Sequence, residues 1–173
     1  RQEIRIVNEE GKEVKVGQIG TIELKGENIF KGYWGMEEKT KESFKDDGFF
    51  ITGDLAKKDE NGYFTIVGRD KDMIISGGLN VYPKEIEDVI NELPNITESA
   101  VFGVQHDDFG EAVVAAVVTT DDKNDGSQIL DYTKDKIAKY KQPKKIIFMS
   151  NLPRNSMGKV CLLYTSDAAD EQL

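Results

Sequence analysis

The sequence predicts an α+β protein made of a strand-rich first unit and a mixed second unit. Two observations support this prediction. Residues 3–67 form short alternating segments separated by turns, and after Gly68 the pattern changes to strands interleaved with longer helical segments. The 173 residues, 38% of them hydrophobic, suffice for one ordinary domain or two small ones. We therefore expect units at about residues 1–69 and 70–160.

Strands and turns dominate the first unit, because apolar and polar residues alternate between clusters of turn-forming residues. The pair Asn61-Gly62, flanked by two such runs, is a strong hairpin signal. Early acidic residues followed by good helix formers predict one short helix. In chain order the predicted elements are strands at Glu3–Val7 and Gln18–Lys25, a helix at Glu37–Phe44, an extended run at Phe49–Ile51, and hairpin strands at Leu55–Lys58 and Tyr63–Val67.

The second unit combines strands with two helices. Pro83 suits the first position of a helix, where its missing N–H is not needed, and Ser127 suits a helix cap. The cluster Asp121–Asp125 is interpreted as a polar surface turn. The predicted elements are a buried strand at Met73–Ile75, a helix through Glu85–Leu93, strands at Ser99–Val104 and Ala112–Thr119, a helix at Ser127–Tyr140 and a strand at Lys145–Met149.

Residue counts exclude several kinds of site. A net charge of -9 argues against a general nucleic-acid surface, which requires clustered Lys and Arg. The single histidine, His106, excludes a multi-histidine metal site, and we interpret it as a surface-loop residue rather than a general base. The single cysteine, Cys161, excludes an internal disulfide and fits a reducing cytoplasm. No segment approaches the roughly 18 apolar residues of a membrane span. The amino terminus lacks Met and a secretion signal, so we expect a chain entered part-way through.

Candidate chemistry begins at Asp54, in Thr52-Gly53-Asp54. Its carboxylate accepts hydrogen bonds beside a glycine that a ligand could approach, and a vicinal diol is a natural partner. An ordinary turn is the alternative. Arg69 and Lys71 lie in a charged segment at the boundary of the two units. Arg69 is a candidate ligand contact and Lys71 a candidate hinge, although a solvated linker would have the same composition.

Two further candidate segments contain glycine. Gly77 and Gly78 either let a slender ligand approach the backbone or form a tight turn before a helix. Lys159 lies on a loop with Gly158, and a mobile ammonium suits negative charge that develops on a phosphoryl or acyl oxygen. Taken alone, Lys159 is simply an exposed lysine.

Six motifs occur in a fixed order along the chain. They are Gly32-Tyr33-Trp34, Thr52-Gly53-Asp54, Asn61-Gly62-Tyr63, Gly68-Arg69-x-Lys71-Asp72, Gly77-Gly78-x-Asn80-Val81-x-Pro83-x-Glu85-Ile86-Glu87 and Pro153-Arg154-Asn155-x-Met157-Gly158-Lys159. Together they resemble the adenylate-forming superfamily of acyl-CoA synthetases, luciferases and peptide-synthetase adenylation domains. The resemblance runs from Arg1 to about Val160. Within the superfamily, Phe49–Asp54 and Arg154–Lys159 are most similar to malonyl-CoA or methylmalonyl-CoA synthetases.

This resemblance implies a fold and an activity. Residues 1–69 would be the carboxy-terminal, β-rich part of a large AMP-binding domain, and residues 70–160 a small, mobile, mixed α+β carboxy-terminal domain. The implied activity is ATP-dependent acid–CoA ligation through an acyl-adenylate, with ATP, Mg²⁺ and coenzyme A. The superfamily's phosphate loop, adenine pocket and acyl pocket have no counterpart in the sequence. We therefore expect an amino-terminal domain of the same enzyme as partner, and no activity from this fragment alone.

The resemblance also assigns roles by position. Asp54 would hold the ribose hydroxyls of ATP and of the acyl-adenylate, and Arg69 would contact the same nucleotide. Lys71 would be the hinge between an adenylating state and a thioester-forming state. Lys159 would bridge the carboxylate of the acid and the α-phosphate.

In the thioester-forming state, Gly77 and Gly78 would line the tunnel for the pantetheine arm of coenzyme A without obstructing it. Residues 161–173 depart from the basic and apolar helix expected after Lys159. That departure is typical of a truncation or of a translated cloning or sequencing artefact.

Three alternatives stay open. The acid could be a medium- or long-chain fatty acid, or the acceptor could be the pantetheine of a carrier protein. The chain could also be a non-catalytic ligand-binding module, although such a module gives no reason for Asp54 and Lys159 together. Four lysines could contact coenzyme A phosphates or form a solvated helix end and strand edge, namely Lys139, Lys141, Lys144 and Lys145.

Overall fold

The computed structural model describes residues 2–121 and 125–161 and confirms a mixed α+β protein. It has two compact units, with the boundary between Lys71 and Asp72. The strands are β1 (Glu3–Val7), β2 (Ile19–Lys25), β3 (Phe50–Lys58), β4 (Phe64–Arg69), β5 (Ile74–Ser76), β6 (Leu79–Val81), β7 (Ile96–His106), β8 (Gly110–Thr119) and β9 (Lys145–Phe148). The helices are α1 (Glu37–Ser43), α2 (Pro83–Ile90) and α3 (Ser127–Lys134), with 3-10 turns at Asp70–Asp72 and Lys139–Lys141. None of these helices has the length and apolar character needed to span a bilayer.

The first unit is an antiparallel sheet in the order β1-β2-β3-β4. The predicted hairpin joins β3 to β4, and its turn is closed by Asp59, whose carboxylate accepts the N–H groups of Asn61 and Tyr63 at 2.9 and 2.8 Å. Gly62 has φ 88°, a left-handed conformation that glycine adopts without strain. The Asn-Gly signal therefore predicted this turn correctly.

A buried carboxylate lies inside the first sheet. Glu23 of β2 is only 1% exposed and faces Arg5 of β1, whose Nε donates to it at 2.6 Å. The guanidinium also lies 3.8 Å from the centroid of the Phe49 ring and donates to Asp47 at 2.7 Å. This hydrogen bond from Arg5 holds the pKa of Asp47 below its ordinary value. One arginine thus compensates the buried charge of Glu23.

The second unit has a sheet in the order β6-β5-β8-β7, and β9 runs parallel to β8. Alternate side chains of the β7–β8 ribbon enter two cores on opposite faces. One core lies between the sheet and helices α2 and α3. It contains Ile74, Val81, Ile86, Ile90, Val101, Val113, Ala115, Val117, Ile129 and Ile137. The opposite core contains Ala100, Phe102, Val104, Val114, Ala116, Ile147 and Leu152.

A hydrogen bond from strand to helix fixes α2 on this sheet. Glu87 of α2 is half-buried, and its Oε1 accepts the N–H of Val101 at 2.9 Å. Burial raises the pKa of Glu87, while the Val101 N–H and Lys84 oppose that rise and Asp88 and Asp72 add to it. Pro83 is the first residue of α2, as predicted.

Two predictions for helix α3 were wrong in detail. The helix expected at Ser127–Tyr140 ends at Lys134, because the chain turns there and buries Ile137 in the core. Its N-cap residue is Gly126 rather than Ser127, with no capping hydrogen bond from a side chain, and Asp125 Oδ1 just before it accepts both the N–H and the hydroxyl of Ser127 at 3.0 and 2.6 Å. These bonds lower the pKa of Asp125.

The strand expected at Met73–Ile75 is shifted by one residue. It pairs as Ile74–Ser76, with Ile74 and Ser76 buried and Ile75 51% exposed on the opposite face. Residues 122–124 of the predicted surface turn and residues 162–173 of the predicted tail lie outside the described residues.

We expect Arg5→Met to lower the free energy of unfolding by about 3 kcal/mol, because it leaves the buried charge of Glu23 with only Lys45, at 3.9 Å. Urea unfolding of the chain measures this loss. The matched control is Lys12→Met, which breaks an exposed pair with Glu10 and should cost less than about 0.5 kcal/mol. Equal losses in the two variants would contradict the assignment.

We expect Glu87→Gln to change the free energy of unfolding by an amount that depends on pH. Burial raises the pKa of Glu87 in the folded state, so the stability it contributes is complete below its unfolded pKa and is lost as pH rises through the folded value. Glutamine keeps the carbonyl acceptor for Val101 and cannot ionise. The free energy of unfolding of Glu87→Gln minus that of the wild type should therefore increase from about pH 4 towards pH 7. A difference that is constant with pH would refute this.

Candidate functional site

Asp54 and Arg69 are brought together on the first sheet. They are register partners across β3 and β4, and Arg69 Nε lies 3.0 Å from Asp54 Oδ1. The side chains are 27% and 52% exposed, so the pair faces solvent and contributes little to stability. Asp54 Oδ2 has no hydrogen-bond partner within residues 2–121 and 125–161. The pair therefore offers a ligand one free carboxylate oxygen and an adjacent cation.

A bulge in β3 sets the direction of Asp54. On β2, Thr21 pairs with Leu55 and Glu23 pairs with Ile51, so Ile22 alone faces three residues of β3, Thr52, Gly53 and Asp54. Gly53 has φ 74°, which favours glycine. The Thr52 hydroxyl donates to Ile22 O at 2.9 Å and accepts the Asp54 N–H at 3.0 Å. Such bulges redirect side chains, so Thr52-Gly53-Asp54 is a built irregularity within a strand and not an ordinary turn.

Lys71 is the last residue of the first unit and lies in the 3-10 turn Asp70–Asp72. Its side chain is exposed, and it has no ion-pair partner in the part of the chain that the structure describes. Its position at the boundary is the one that a hinge requires, and the hinge itself stays a prediction.

Gly77 and Gly78 form the two-residue turn between β5 and β6. Their φ values are 59° and 76°, and a turn with both central residues at positive φ matches the twist of a hairpin. A Cβ on Gly78 would meet nothing within 4 Å, and one on Gly77 would meet only Phe109 Cδ1 at 4.0 Å. Backbone conformation, and not crowding inside the chain, therefore explains both glycines. Their predicted place beside a pantetheine arm stays a prediction.

Lys159 lies at the end of a tight loop that begins at Asn155. The bridge between Arg154 and Val160 closes the loop, and the Asn155 carboxamide accepts the N–H groups of Met157 and Lys159, each at 3.0 Å. The Lys159 side chain is exposed and has no partner among the described residues. Hydrogen bonds thus hold the backbone of this loop, while the ammonium of Lys159 stays unpaired among the described residues.

Arg154 anchors the same loop to the sheet. One guanidinium nitrogen donates to Gly158 O at 2.9 Å, and the other forms an ion pair with Glu98 of β7. Sequence reasoning gave no role to Glu98 or to Asn155. The Asn155 turn could have been found, because a side chain that bonds to the backbone two residues ahead is a local signal. Glu98 could not, because it lies 56 positions from Arg154.

The candidate residues fall into two groups. Asp54 and Arg69 belong to the first unit, whereas Gly77, Gly78 and Lys159 belong to the second. Within the second unit the two segments are anchored at opposite ends of β8. The β5 strand pairs with Gly110, and Glu98, which holds Arg154, pairs with Val118. Eight residues of strand separate these points, or roughly 26 Å.

Other predicted features are only partly free to bind a ligand. Lys141 donates to both carboxylate oxygens of Glu85, at 2.8 and 2.7 Å, so its charge is already paired. His106 is the last residue of β7 and not a loop residue, and its Nδ1 accepts the N–H of Asp108 at 3.2 Å. The described residues contain no group of three or more His, Cys, Asp or Glu side chains that could hold a metal. They therefore provide no cluster of side chains that could by itself surround Mg²⁺.

Comparison with known proteins identifies the family. Residues 85–159 match the model of the AMP-binding enzyme C-terminal domain. The chain is 42% identical over 158 residues to an indoleacetate–CoA ligase of Aromatoleum aromaticum, with 91% of this chain and 31% of the ligase aligned. It is 44% identical over 141 residues to a long-chain-fatty-acid–CoA ligase of Mycobacterium tuberculosis, with 82% of this chain and 28% of the ligase aligned. The chain thus spans about a third of the length of these relatives.

Solved structures show the same relationship. The crystal structure of ATP-bound MatB from Rhodopseudomonas palustris superposes with a TM-score of 0.91 at 52% identity, covering 98% of this chain and 34% of MatB. The o-succinylbenzoate CoA synthetase of Bacillus subtilis, in complex with its acyl-adenylate intermediate, gives a TM-score of 0.85 at 35% identity, covering 92% and 32%. The chain therefore belongs to the adenylate-forming superfamily, whose carboxy-terminal region it contains, and residues 85–159 are an AMP-binding enzyme C-terminal domain.

Proposed function

We propose that the chain is the carboxy-terminal third of an acid–CoA ligase, which activates a carboxylic acid with ATP and transfers the acyl group to coenzyme A. The observation that carries this proposal is the free ammonium of Lys159 on a loop whose backbone is fixed by Asn155 and Arg154. The similarity to CoA ligases over nearly the whole chain supports it. The remaining two-thirds of such an enzyme would supply the phosphate, adenine and acyl pockets.

In this proposal Lys159 acts during adenylation. The carboxylate oxygen of the acid attacks the α-phosphorus of ATP, the bond to the pyrophosphate oxygen breaks, and negative charge increases on the oxygens between them. A positioned ammonium stabilises that charge more in the transition state than in the ground state. A fixed loop serves this purpose because the charge is delivered in its working geometry without further ordering.

Asp54 and Arg69 act as a nucleotide clamp. The free Oδ2 of Asp54 accepts a hydrogen bond from a ribose hydroxyl, and Arg69 holds Oδ1 while its remaining guanidinium N–H groups face the nucleotide. The exposure of both side chains supports this role, since a purely structural ion pair has no need of a bulge at Gly53.

The two steps of the proposed reaction, adenylation and thiol transfer, require the small domain to move. Residues 1–69 would belong to the large domain and residues 70–160 to a small domain that rotates about Lys71. The loop of Lys159 would serve adenylation and the hairpin with Gly77 and Gly78 would serve thiol transfer. A rotation of this kind needs only a few residues at an element boundary, such as the turn Asp70–Asp72. Magnesium would be held mainly by phosphate oxygens and water, since residues 2–121 and 125–161 contain no cluster of side chains that could surround it.

The acid proposed is malonate or methylmalonate. The segments Phe49–Asp54 and Arg154–Lys159 are most similar to synthetases for these acids, and the 52% identity to MatB exceeds the 42% and 44% identities to the indoleacetate and fatty-acid ligases. A medium- or long-chain fatty acid is the second candidate, favoured by the similarity to the mycobacterial ligase.

The single cysteine supports a cytoplasmic enzyme. An enzyme that loads a carrier protein would show acid-dependent pyrophosphate–ATP exchange without transfer to coenzyme A, and ligand binding without catalysis would show neither.

We expect the enzyme made from the complete reading frame to release AMP with ATP, magnesium and coenzyme A when malonate or methylmalonate is the acid. Lys159→Ala should reduce this rate by at least about a hundredfold, because it removes a charge that acts in the transition state. Transfer from preformed acyl-adenylate to coenzyme A should change far less. AMP release with fatty acids alone would indicate a fatty acyl–CoA ligase. Absence of acid-dependent AMP release would favour the non-catalytic binding module.

The loop geometry leads to a second expectation. Asn155→Ala removes the acceptor of two backbone N–H groups, so the rate of adenylation should fall about tenfold while the affinity for ATP stays nearly constant. The matched control is Asn151→Ala, an exposed position that makes no hydrogen bond among the described residues and should leave the rate unchanged. Pyrophosphate–ATP exchange measures both variants. Equal rates in the two would exclude a role for the loop geometry.

A further inference from the structure

Glu111 makes an unusual contact at the start of β8. Its Oε2 accepts the N–H of Ile75 at 2.6 Å, and Ile75 is the central residue of β5. The Glu111 carboxylate therefore takes the place of the backbone carbonyl that a neighbouring strand would offer to the Ile75 N–H. Because β5 is the first arm of the hairpin that carries Gly77 and Gly78, this one carboxylate ties that hairpin to the β7–β8 ribbon.

Gly103 of β7 makes the space for the Glu111 carboxylate. A Cβ at Gly103 would lie 2.5 Å from Glu111 Oε1 and 3.1 Å from Ile74 Cγ2. Gly103 lies within a strand and is not among the glycines with positive φ, so its backbone does not require glycine. Glycine in a strand weakens it and often marks a close approach. The close approach at this position is that of the Glu111 carboxylate.

Few other polar contacts fix the hairpin. In the described part of the chain, β5 and β8 share one register pair, Ser76 with Gly110, and the Gly77 N–H donates to Phe109 O at 2.8 Å. Ile74 packs in the core and fixes one face of the hairpin. Ile75 faces the other way and is 51% exposed, so its side chain contributes little packing. A charge-assisted hydrogen bond is about twice as strong as one between neutral groups, which suits Glu111 to this task.

We propose that Glu111, seated on Gly103, is a positioning residue for thioester formation, because it holds the Gly77-Gly78 turn in the geometry that the thiol-transfer step needs. This inference rests on the function proposed above. Glu111 touches neither substrate in this proposal. Its contribution is made through the Ile75 N–H, and it is separate from that of Lys159, whose loop is anchored at the other end of β8.

The kinetic test uses the enzyme from the complete reading frame and measures the two half-reactions separately. In Glu111→Ala, transfer from preformed acyl-adenylate to coenzyme A should slow about tenfold, while pyrophosphate–ATP exchange stays within about twofold of the wild type. Glu111→Gln keeps an acceptor and should recover most of the transfer rate. Gly103→Ala places a methyl group where the carboxylate lies, so it should resemble Glu111→Ala although Glu111 is present.

The matched control is Glu87→Ala. Glu87 is also a half-buried glutamate that accepts a backbone N–H of this sheet, but that N–H belongs to Val101 of β7 and not to the hairpin. It should leave both half-reactions unchanged at temperatures where the protein stays folded. Equal slowing of both half-reactions in Glu111→Ala, or slowing of transfer in Glu87→Ala to the same degree, would overturn the proposal and indicate general destabilisation.

Amide hydrogen exchange on the 173-residue chain supplies a readout that needs no substrate. Exchange at Ile75 and Gly77 should accelerate about tenfold in Glu111→Ala and Gly103→Ala, less in Glu111→Gln, and not at all in Glu87→Ala. Unchanged exchange at Ile75 in Glu111→Ala would overturn the anchor. A wild-type enzyme that forms no thioester would instead overturn the proposed function, and with it the role of the anchor in transfer, whatever the exchange results show.

Discussion

The second unit depends on the burial of β8. Residues 113–117 of this strand are at most 3% exposed, and their side chains alternate between two cores on opposite faces of the sheet. A shift of one residue would exchange the two faces, so both cores enforce a single register. Since β5, β7 and β9 all pair with β8, the positions of the candidate segments of this unit follow from that register.

Hydrogen bonds with polar side chains hold the exposed segments that apolar burial does not stabilise. The loop of Lys159 and the turn at Gly77-Gly78 are exposed, so apolar packing gives them little rigidity. Their backbones are held by the carboxamide of Asn155 and by the carboxylate of Glu111, each of which satisfies backbone N–H groups that a regular strand would have paired. The same logic applies at Asp54, where the Thr52 hydroxyl bonds across the bulge. Hydrogen bonds with polar side chains thus hold the backbone of each of these three segments.

Local signals in the sequence predicted local structure well. The Asn61-Gly62 turn, the start of α2 at Pro83 and the mixed α+β class were all confirmed, because turn chemistry and hydrophobic period act over a few residues. The end of α3 was missed because burial of Ile137 in the core overrode helix propensity. Glu98 and Glu111 carry no local signal at all. Their partners lie 56 and 36 positions away, so only the folded register brings them together.

The distance between the two anchors bears on how the second unit can work. About 26 Å of strand separates Gly110 from Val118, and the rigid burial of β8 prevents the hairpin and the Lys159 loop from approaching one another. An acyl-adenylate has a single reacting carbonyl, which both segments must serve in turn in the proposed function. A rigid unit with two separated working surfaces can do this only by changing its orientation towards the nucleotide. The same strand that stabilises the unit therefore makes a reorientation of the unit necessary for the proposed reaction.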